Sequence, residues 1–230
     1  MPLDTTTPEY IAIQKEWTRV EDFNNGLLIP NDSGLDTARK TSEEAGLPDI
    51  AVSPNEGRFL YLLAKSIGAR RCIELGTLGG YSTIWLARAV PLDGHVVTFE
   101  LHEHHAKVAQ KNFHSAGVSE KISLILGSAR ETLPKYESKE KFDLAFVDAD
   151  KESSSLYFKE LKRLVRKGGV IIVDNVVRRG KVADGTQLDS SSSGVRDIMH
   201  VIRDDHDVEA TVINTVGSKG YDGFMMVYVK

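Results

Sequence analysis

Cysteine is almost absent from the sequence, since Cys72 is the only one among 230 residues. A single cysteine excludes an internal disulfide and fits a reducing compartment, and its apolar neighbours predict a packing role. Uninterrupted apolar runs of about 18 residues are also missing, which argues against a transmembrane helix and a membrane partner. The N-terminus has no basic segment followed by an apolar run, so no secretory signal is expected. These absences together predict a cytoplasmic protein.

An excess of basic residues is missing as well. The formal net charge is −4, and no long block of one sign interrupts the sequence. A nucleic-acid-binding protein would show a basic patch or stripe, so no nucleic-acid partner is expected. Apolar material, by contrast, is plentiful, because 41% of the residues are hydrophobic. At this length it is enough for a substantial core in one large domain.

The pattern of the sequence changes near residue 50. Before it, helical patterns at 10–23 and 35–45 are separated by the turn-rich stretch NNGLLIPNDSG. After it, the run SPNE at 53–56 has the composition of a capping box at the start of a helix. We therefore predict an N-terminal helical segment at 1–50, which covers a ligand site or contacts a second subunit, and a main domain at 51–230.

From residue 71 onwards, short apolar runs alternate with helical patterns. The helical patterns lie at 81–90, 103–116, 129–136, 153–165 and 195–205. The runs that predict strands lie at 71–75, 95–100, 121–126, 142–147, 170–173, 208–213 and 223–229. This alternation predicts an α/β fold with a doubly wound, mostly parallel seven-stranded sheet. Only NTVGSKGYD joins the last two strands, so they should form an antiparallel hairpin at one edge.

Two short stretches between these elements are interpreted as interruptions. KGG at 167–169 is predicted to interrupt the regular structure between the preceding helix and the fifth strand, because glycines disfavour a continuing helix or strand. The run SSSS at 190–193 is predicted to be a flexible loop.

The turn after the first predicted strand is rich in glycine and has the sequence ELGTLGGYS at 74–82. Ligands of open α/β sheets lie outside the carboxyl ends of the strands, where this turn and Glu100 both fall. The glycines let the backbone approach a ligand, and Glu100 is placed to hold the two hydroxyls of a ribose. The simpler alternative is a turn that only joins a strand to a helix, with Glu100 as a surface residue.

The same turn indicates which nucleoside is bound. A nicotinamide dehydrogenase would show G-x-G-x-x-G, whereas the glycines here are Gly76, Gly79 and Gly80. Glu74 would repel a pyrophosphate but can accept a hydrogen bond from an ammonium group, and the first amides of the next helix can receive a carboxylate. A ligand with a ribose, an ammonium and a carboxylate is S-adenosylmethionine (SAM), which is the predicted cofactor.

Oxygen-bearing side chains follow the fourth and fifth predicted strands, in FVDADK and IVDN. Asp148, Asp174 and Asn175 offer hard oxygen ligands, which suit a divalent cation such as Mg²⁺, Mn²⁺ or Ca²⁺, with Mg²⁺ expected first. Magnesium prefers about six ligands, so roughly three positions would remain for substrate and water. The alternative is that Asp148 and Asp174 cap the following helices.

Four stretches taken together resemble the cation-dependent O-methyltransferases, a family related to the plant caffeoyl-coenzyme A enzymes and more distantly to catechol O-methyltransferase. They are ELGTLGGYS (74–82), FVDADK (146–151), KGGVIIVDN (167–175) and DGFMMVYVK (222–230). The resemblance extends from about Ile50 to Lys230. It implies a Rossmann-like class I methyltransferase fold and a homodimer.

The resemblance also implies roles for individual residues. Ser82 would meet the methionine carboxylate of SAM, and Lys151 would be the general base, next to Asp148. A lysine has a pKa near 10.4 in model peptides, which must be lowered before it acts as a base. Asp148, Asp174 and Asn175 would be the metal ligands. The predicted cofactor contacts are Val52, Glu74, Gly76, Thr77, Ser82, Glu100, Ala129 and Asp150, together with Ser128 and Asp148 at the strand ends.

The sequence departs from the plant enzymes in two places. Arg179 stands where they use an asparagine against the substrate, and residues 1–50 do not match their N-terminal segment. The expected substrate is therefore a smaller aromatic with two vicinal hydroxyls, such as caffeic acid, a catechol or a flavonoid. A caffeoyl-coenzyme A-type thioester is the alternative. A non-catalytic protein of the same fold is a remote alternative, because the acidic cluster and Lys151 are intact.

Two further groups of charged side chains have open roles. His102, His104 and His105 are interpreted as the start of a solvated helix rather than a metal cluster. Arg178 and Arg179 either meet an acidic group on the substrate or face water.

Overall fold

The computed structural model describes residues 3–230, which fold around a seven-stranded sheet. Along the chain its strands are β1 (Arg71–Leu75), β2 (His95–Glu100), β3 (Ile122–Leu126), β4 (Phe142–Val147), β5 (Val165–Val173), β6 (Val208–Gly217) and β7 (Gly220–Val229). Their order in the sheet is β3-β2-β1-β4-β5-β7-β6. Strands β1 to β5 are parallel, and β7 is antiparallel to both of its neighbours. The predicted fold class is confirmed.

Helices connect the strands and cover both faces of the sheet. They are α1 (Pro8–Leu28), α2 (Ser33–Glu44), α3 (Pro54–Ser66), α4 (Tyr81–Ala89), α5 (Glu103–Ser115), α6 (Ala129–Thr132), α7 (Ser154–Leu164) and α8 (Ser190–Arg203). Short 3₁₀ segments lie at Ser119–Lys121, Leu133–Lys135, Lys151–Ser153 and Arg178–Ala183. The start of α3 is the predicted one, because the Glu56 carboxylate accepts a hydrogen bond from the Ser53 backbone N–H at 2.8 Å.

Alternate side chains of the sheet enter two separate cores. Cys72 and Leu144 point to one face, where they pack with helices α2 to α5. Their neighbours Ile73 and Ala145 point to the other face, where they pack with α7 and α8. Burying one aliphatic side chain stabilises the fold by ~1.5–3 kcal/mol, so cores on both faces hold the strand ends in fixed positions. Burial also raises the pKa of the Cys72 thiol, as expected of a packing residue.

The two predicted interruptions are wrong. Strand β5 begins at Val165 and continues through KGG, where Gly168 has φ +74° and the register with β4 shifts. The glycines therefore bend the strand instead of ending it. The serine run at 190–193 forms the first turn of α8, and the Asp189 side chain accepts a hydrogen bond from the Ser192 N–H at 2.9 Å. Small polar residues at a helix start serve as caps, so a serine run need not be a loop.

The stretches predicted as turns are shorter than expected. Strands β6 and β7 pair as far as Gly217 and Gly220, which leaves Ser218 and Lys219 as the turn. Gly220 has φ +91°, a conformation that glycine adopts at low energetic cost. The predicted turn-rich stretch after α1 is also partly wrong, since residues 24–28 belong to that helix.

Helix α1 lies against the hairpin formed by β6 and β7. The Gln14 side-chain amide donates to the Ser218 carbonyl at 2.9 Å, and the Glu21 carboxylate accepts from the Ser218 N–H at 2.6 Å. Tyr10 packs edge-on against Trp17, whereas Phe23 is 65% exposed. Contact of the N-terminal segment with a second subunit stays a prediction. Among residues 3–230, no helix is both long enough and apolar enough to cross a bilayer.

The strand order reverses between β1 and β4. The chain runs outward from β1 through β2 to β3, and then returns to the opposite side of β1 to form β4 and β5. At such a reversal the connections leave in opposite directions and open a crevice outside the carboxyl ends of the strands. The fold therefore brings the ends of β1, β2, β4 and β5 to one place.

Candidate active site

A cavity of about 790 Å³ opens at the carboxyl edge of the sheet. Small-molecule sites typically measure ~300–1,000 Å³. The turn after β1 and the residues that follow β2 to β5 line it, and residues 47–52 with Arg39 and Ser42 of α2 form a wall. The predicted site residues that line the cavity are Val52, Gly76, Thr77, Ser82, Glu100, Ser128, Ala129, Asp148, Asp150, Lys151 and Asn175. Glu74 and Asp174 are buried just behind its surface.

The glycine turn after β1 is shaped for close approach. Gly76 has φ +96°, and a Cβ at this position would overlap the backbone carbonyl of Asp148. Any other residue would therefore push the turn away from the end of β4. Gly80, with φ +82°, precedes the first residue of α4, so the free amides of that helix face the turn. Ser82, in the same first turn, lines the cavity.

Glu74 is a buried carboxylate with one unused oxygen. Its Oε2 accepts hydrogen bonds from the hydroxyls of Thr98, at 2.7 Å, and Thr83. Its Oε1 is shielded from solvent and has no hydrogen-bond partner among the described residues. Burial raises the pKa of Glu74 to about 7. A buried acceptor without a donor is energetically unfavourable, so this oxygen fits a ligand that brings a positively charged donor.

The raised pKa of Glu74 predicts how the stability of the protein depends on pH. Between about pH 4.5 and pH 7 the folded protein keeps a proton that the unfolded chain releases, so the free energy of unfolding falls as pH rises. One pKa unit corresponds to about 1.4 kcal/mol, which makes the loss on the order of 3 kcal/mol. Glu74→Gln should therefore raise the melting temperature of the ligand-free protein at pH 8 but not at pH 4.

The same substitution should weaken a ligand that carries an ammonium group. Loss of the charged acceptor is expected to raise the Kd of SAM about 10- to 100-fold, measured by calorimetry. The exposed Glu120 provides a matched control, because Glu120→Gln should change neither the melting temperature nor the Kd. An unchanged Kd for Glu74→Gln would remove Glu74 from the cofactor site.

Glu100 is held by backbone amides at the end of β2. Its Oε2 accepts from the Thr77 and Leu78 N–H groups at 3.2 and 2.8 Å, and its Oε1 accepts from the His102 N–H at 2.8 Å. The His105 ring lies 3.3 Å from Oε1 through Nδ1. The three histidines lie at the start of α5, as interpreted from the sequence, and His102 and His105 also line the cavity. No local sequence signal separates a histidine at a cavity from one in water.

Asp150 is the cap of the segment that follows β4. Its carboxylate accepts from the Ser153 N–H at 3.1 Å and from the Tyr157 hydroxyl. Burial alone would raise the pKa of Asp150, but these hydrogen bonds outweigh it and lower the pKa. The predicted alternative, that Asp148 and Asp174 cap the following helices, is wrong, because the caps there are Asp150, Ser153 and Val177.

Four polar side chains cluster where β4 and β5 end. Lys151 is buried, and its Nζ lies 3.1 Å from Oδ1 of Asp148. Burial, and then the neighbouring Asp148 carboxylate, raise the pKa of Asp174 well above its usual range. Asn175 has φ +55°, an uncommon backbone conformation for a residue other than glycine. The cluster thus holds two carboxylates close together, with one lysine beside them.

Comparison with known proteins agrees with this geometry. A family model described as O-methyltransferase matches residues 31–227. The chain belongs to the O-methyltransferase family. It is 43% identical over 211 residues to a catechol O-methyltransferase of Mycobacterium tuberculosis. The aligned part covers 92% of this chain and 95% of that protein.

Two solved O-methyltransferase structures are similar in both sequence and fold. The enzyme from Bacillus cereus, solved in complex with SAH, is 44% identical with a TM-score of 0.92, over 94% of this chain and 99% of that one. The enzyme TomG from Streptomyces achromogenes, involved in tomaymycin synthesis and solved with SAM, is 42% identical with a TM-score of 0.91. The match covers 94% of this chain and 98% of TomG.

The strand-end cluster of this O-methyltransferase fits a hard divalent cation. Its donors are two carboxylates and an amide oxygen, which are the ligand types that Mg²⁺ and Ca²⁺ prefer. Burial and the neighbouring Asp148 charge, which raise the pKa of Asp174, also favour the arrival of a positive ion. Within residues 3–230, no three His, Cys, Asp or Glu side chains are grouped to hold a metal, so the third protein ligand would have to be Asn175.

Several residues that line the site of this O-methyltransferase have no signal in the sequence. Tyr157 comes from α7, Ser191 from α8, and residues 48–51 from the segment before α3. None follows a strand directly, and each reaches the cavity only through the way its helix or loop packs. The roles of the predicted site residues stay predictions.

Proposed function

We propose that this O-methyltransferase transfers a methyl group from SAM to one hydroxyl of a catechol-type aromatic with the help of a divalent cation. One arrangement carries the proposal. Asp148, Lys151 and Asn175 line the cavity, and Asp174 is buried directly before Asn175. Glu74, which has a buried carboxylate oxygen without a partner, is close enough for the Asp148 charge to act on it. A site for the methyl donor and a site for the methyl acceptor would therefore lie next to each other.

The donor half of the cavity suits the groups of SAM. Glu74 would accept from the ammonium group, and Ser82 with the first amides of α4 would receive the carboxylate. Glu100 would hold the ribose hydroxyls with the lone pairs that its backbone bonds leave free. Bound SAM supplies an electrophilic methyl group. Relatives solved with SAM or SAH at over 40% identity support this assignment.

The acceptor half suits two adjacent hydroxyls. Asp148, Asp174 and Asn175 would hold the cation, which supplies Lewis-acid stabilisation of a phenolate and a template for two neighbouring oxygens. Lys151, in its uncharged form, would take the proton from the reacting hydroxyl at Nζ. The methyl group would pass to that oxygen as its bond to the SAM sulfur breaks, which leaves SAH. The walls of the cavity would fix the acceptor for an in-line displacement, which supplies much of the rate.

The substrate class is supported by the relatives and by the site. A relative at 43% identity is named a catechol O-methyltransferase. We propose a small diol such as caffeic acid, a catechol or a flavonoid rather than a coenzyme A thioester, and a homodimer as the working form. A binding protein without catalysis is disfavoured, because the acidic cluster and the lysine that catalysis would need, Lys151 beside Asp148, are all present at the cavity.

Methyl transfer to matched phenols tests the proposal. The purified protein with SAM and Mg²⁺ should methylate caffeic acid, and the same acid with one ring hydroxyl should react at least about 10-fold more slowly, because it cannot use two-point attachment. Mass spectrometry of the product measures both rates. Equal rates on the two acids would contradict the vicinal-diol mechanism, and no transfer to any diol would contradict the substrate class.

A further inference from the structure

The cavity contains an arginine that the proposed reaction does not use. Arg178 lines the cavity and is half-buried, a few residues after the end of β5. Its Nε is shielded from solvent and has no hydrogen-bond partner among residues 3–230. A guanidinium presents five donors in a planar fork, and a buried donor without an acceptor is unfavourable. This end of the cavity therefore lacks an acceptor that a ligand can provide.

The other charged groups nearby do not neutralise Arg178. The ion pairs formed within residues 3–230 do not include it, whereas Lys151 is paired with Asp148. The nearby carboxylate of Asp189 accepts a hydrogen bond from the Ser192 N–H and caps α8. It feels the charge of Arg178 only at a distance. The guanidinium is thus left available.

The backbone around Arg178 is held in an uncommon conformation. Arg178 and Arg179 have φ values of +51° and +58°, a region that costs a residue other than glycine on the order of 1 kcal/mol or more. One carboxylate oxygen of Asp222 accepts from the N–H groups of Val177, Arg178 and Gly223, at 3.1, 2.8 and 2.9 Å. These bonds fix the segment. Asp222 lies in the DGFMMVYVK motif and does not itself line the cavity.

The fixed backbone directs the two arginine side chains to different places. Arg178 lines the cavity, whereas Arg179 is exposed and its carbonyl accepts from the Leu3 N–H at 3.2 Å. The strained backbone therefore places one guanidinium inside the site and its neighbour outside. Strain that persists because a hydrogen-bonded carboxylate enforces it is typical of functional segments.

We propose that Arg178 binds an anionic group of the methyl acceptor, so that the substrate is a catechol carrying a carboxylate. This inference rests on the proposed methyl transfer to a diol, and it selects acids such as caffeic acid over neutral catechols and flavonoids. Elsewhere the carboxylates that line the cavity would repel an acid, and they are Glu43, Asp49, Glu100, Asp148 and Asp150. Of the other cations in the lining, Lys151 is paired with Asp148 and Arg39 lies over the Tyr81 ring. The uncharged side chains of Asn175 and Ser191 line it together with Arg178. Asp222 is a positioning residue that orients the arginine.

Calorimetry with two ligands of the same shape tests the inference. Caffeic acid and its neutral carboxamide are titrated into the wild-type protein loaded with SAH and Mg²⁺, and into Arg178→Gln. The substitution should weaken caffeic acid about 10- to 100-fold and leave the carboxamide nearly unchanged, because a charged hydrogen-bonded pair is lost only with the acid. Arg178→Lys should restore part of the affinity, since it keeps the charge but not the fork.

Arg179→Gln is the matched control, since it removes the same charge one residue away and outside the cavity. An equal loss of caffeic acid affinity in this variant would show general attraction by charge and would overturn the inference. So would an equal effect of Arg178→Gln on acid and carboxamide, or the absence of caffeic acid binding to the wild-type protein. Methyl transfer is measured on the same samples. Selective binding without transfer would sustain the role of Arg178 and contradict the proposed function.

Discussion

Asp174→Asn is expected to lower the rate of methyl transfer at least about 100-fold and to raise the thermal stability of the metal-free protein. The rate should fall because the cluster loses a charged ligand, and Lewis-acid stabilisation by a bound cation is worth several kcal/mol. The stability should rise because Asp174 is buried beside Asp148, and both burial and that charge oppose its ionised form. An asparagine oxygen can still accept the 2.7 Å hydrogen bond from the Asn175 N–H.

A lower rate together with a higher stability would identify Asp174 as a metal ligand and not as a structural cap. A residue that only capped a turn would lose stability on substitution and keep its rate. The measurements are kcat with saturating Mg²⁺ and the melting temperature in EDTA, both at pH 7.5. Asp197→Asn, at an exposed position of α8, is the control and should change neither. Wild-type rates that survive EDTA would remove the cation from the mechanism.

Lys151→Met is expected to lower kcat about 10²- to 10⁴-fold, the range typical of a lost general base, with SAM affinity unchanged. Lys151 is buried with its Nζ directed at Asp148, one of the proposed cation ligands. Methionine keeps the length of the aliphatic chain, so packing should be preserved. The rate deficit should shrink for acceptors with a more acidic hydroxyl, which need less help in losing their proton.

The control for this substitution lies on the following helix. Lys159→Met removes the same charge from an exposed position of α7 and should leave kcat unchanged. Dependence on the acidity of the acceptor is the readout that a merely structural lysine would not produce. A Lys151→Met enzyme with the wild-type rate would show that the cation alone suffices to activate the hydroxyl.

The fold was predictable where strands are buried on both sides. Strands β1, β2 and β4 have the predicted bounds, because their apolar runs end at glycine or acidic residues. Predictions failed where a residue has two common uses. Serine is frequent in loops but also starts helices, as in α8, and glycine can bend a strand, as Gly168 does in β5.

The site was predictable to the extent that its residues follow strands. Glu100, Asp148 and Asn175 lie at the carboxyl edge because parallel strands end there, whatever the helices do. His105 and Tyr157 reach the same cavity through helix packing, for which the sequence carries no local pattern. The separation of Arg178 from Arg179 was equally invisible, since it depends on a backbone conformation enforced from the distant Asp222.

The close approach of Gly76 to the Asp148 carbonyl has a thermodynamic consequence. At this contact, the turn that would receive the methyl donor touches the strand end that would hold the cation. A shift of that contact on loading either ligand changes the affinity for the other, and linkage makes the two effects equal in size. The factor by which saturating Mg²⁺ changes the Kd of SAM must therefore equal the factor by which SAM changes the Kd of Mg²⁺. We therefore expect the donor and acceptor halves to bind their ligands cooperatively through Gly76.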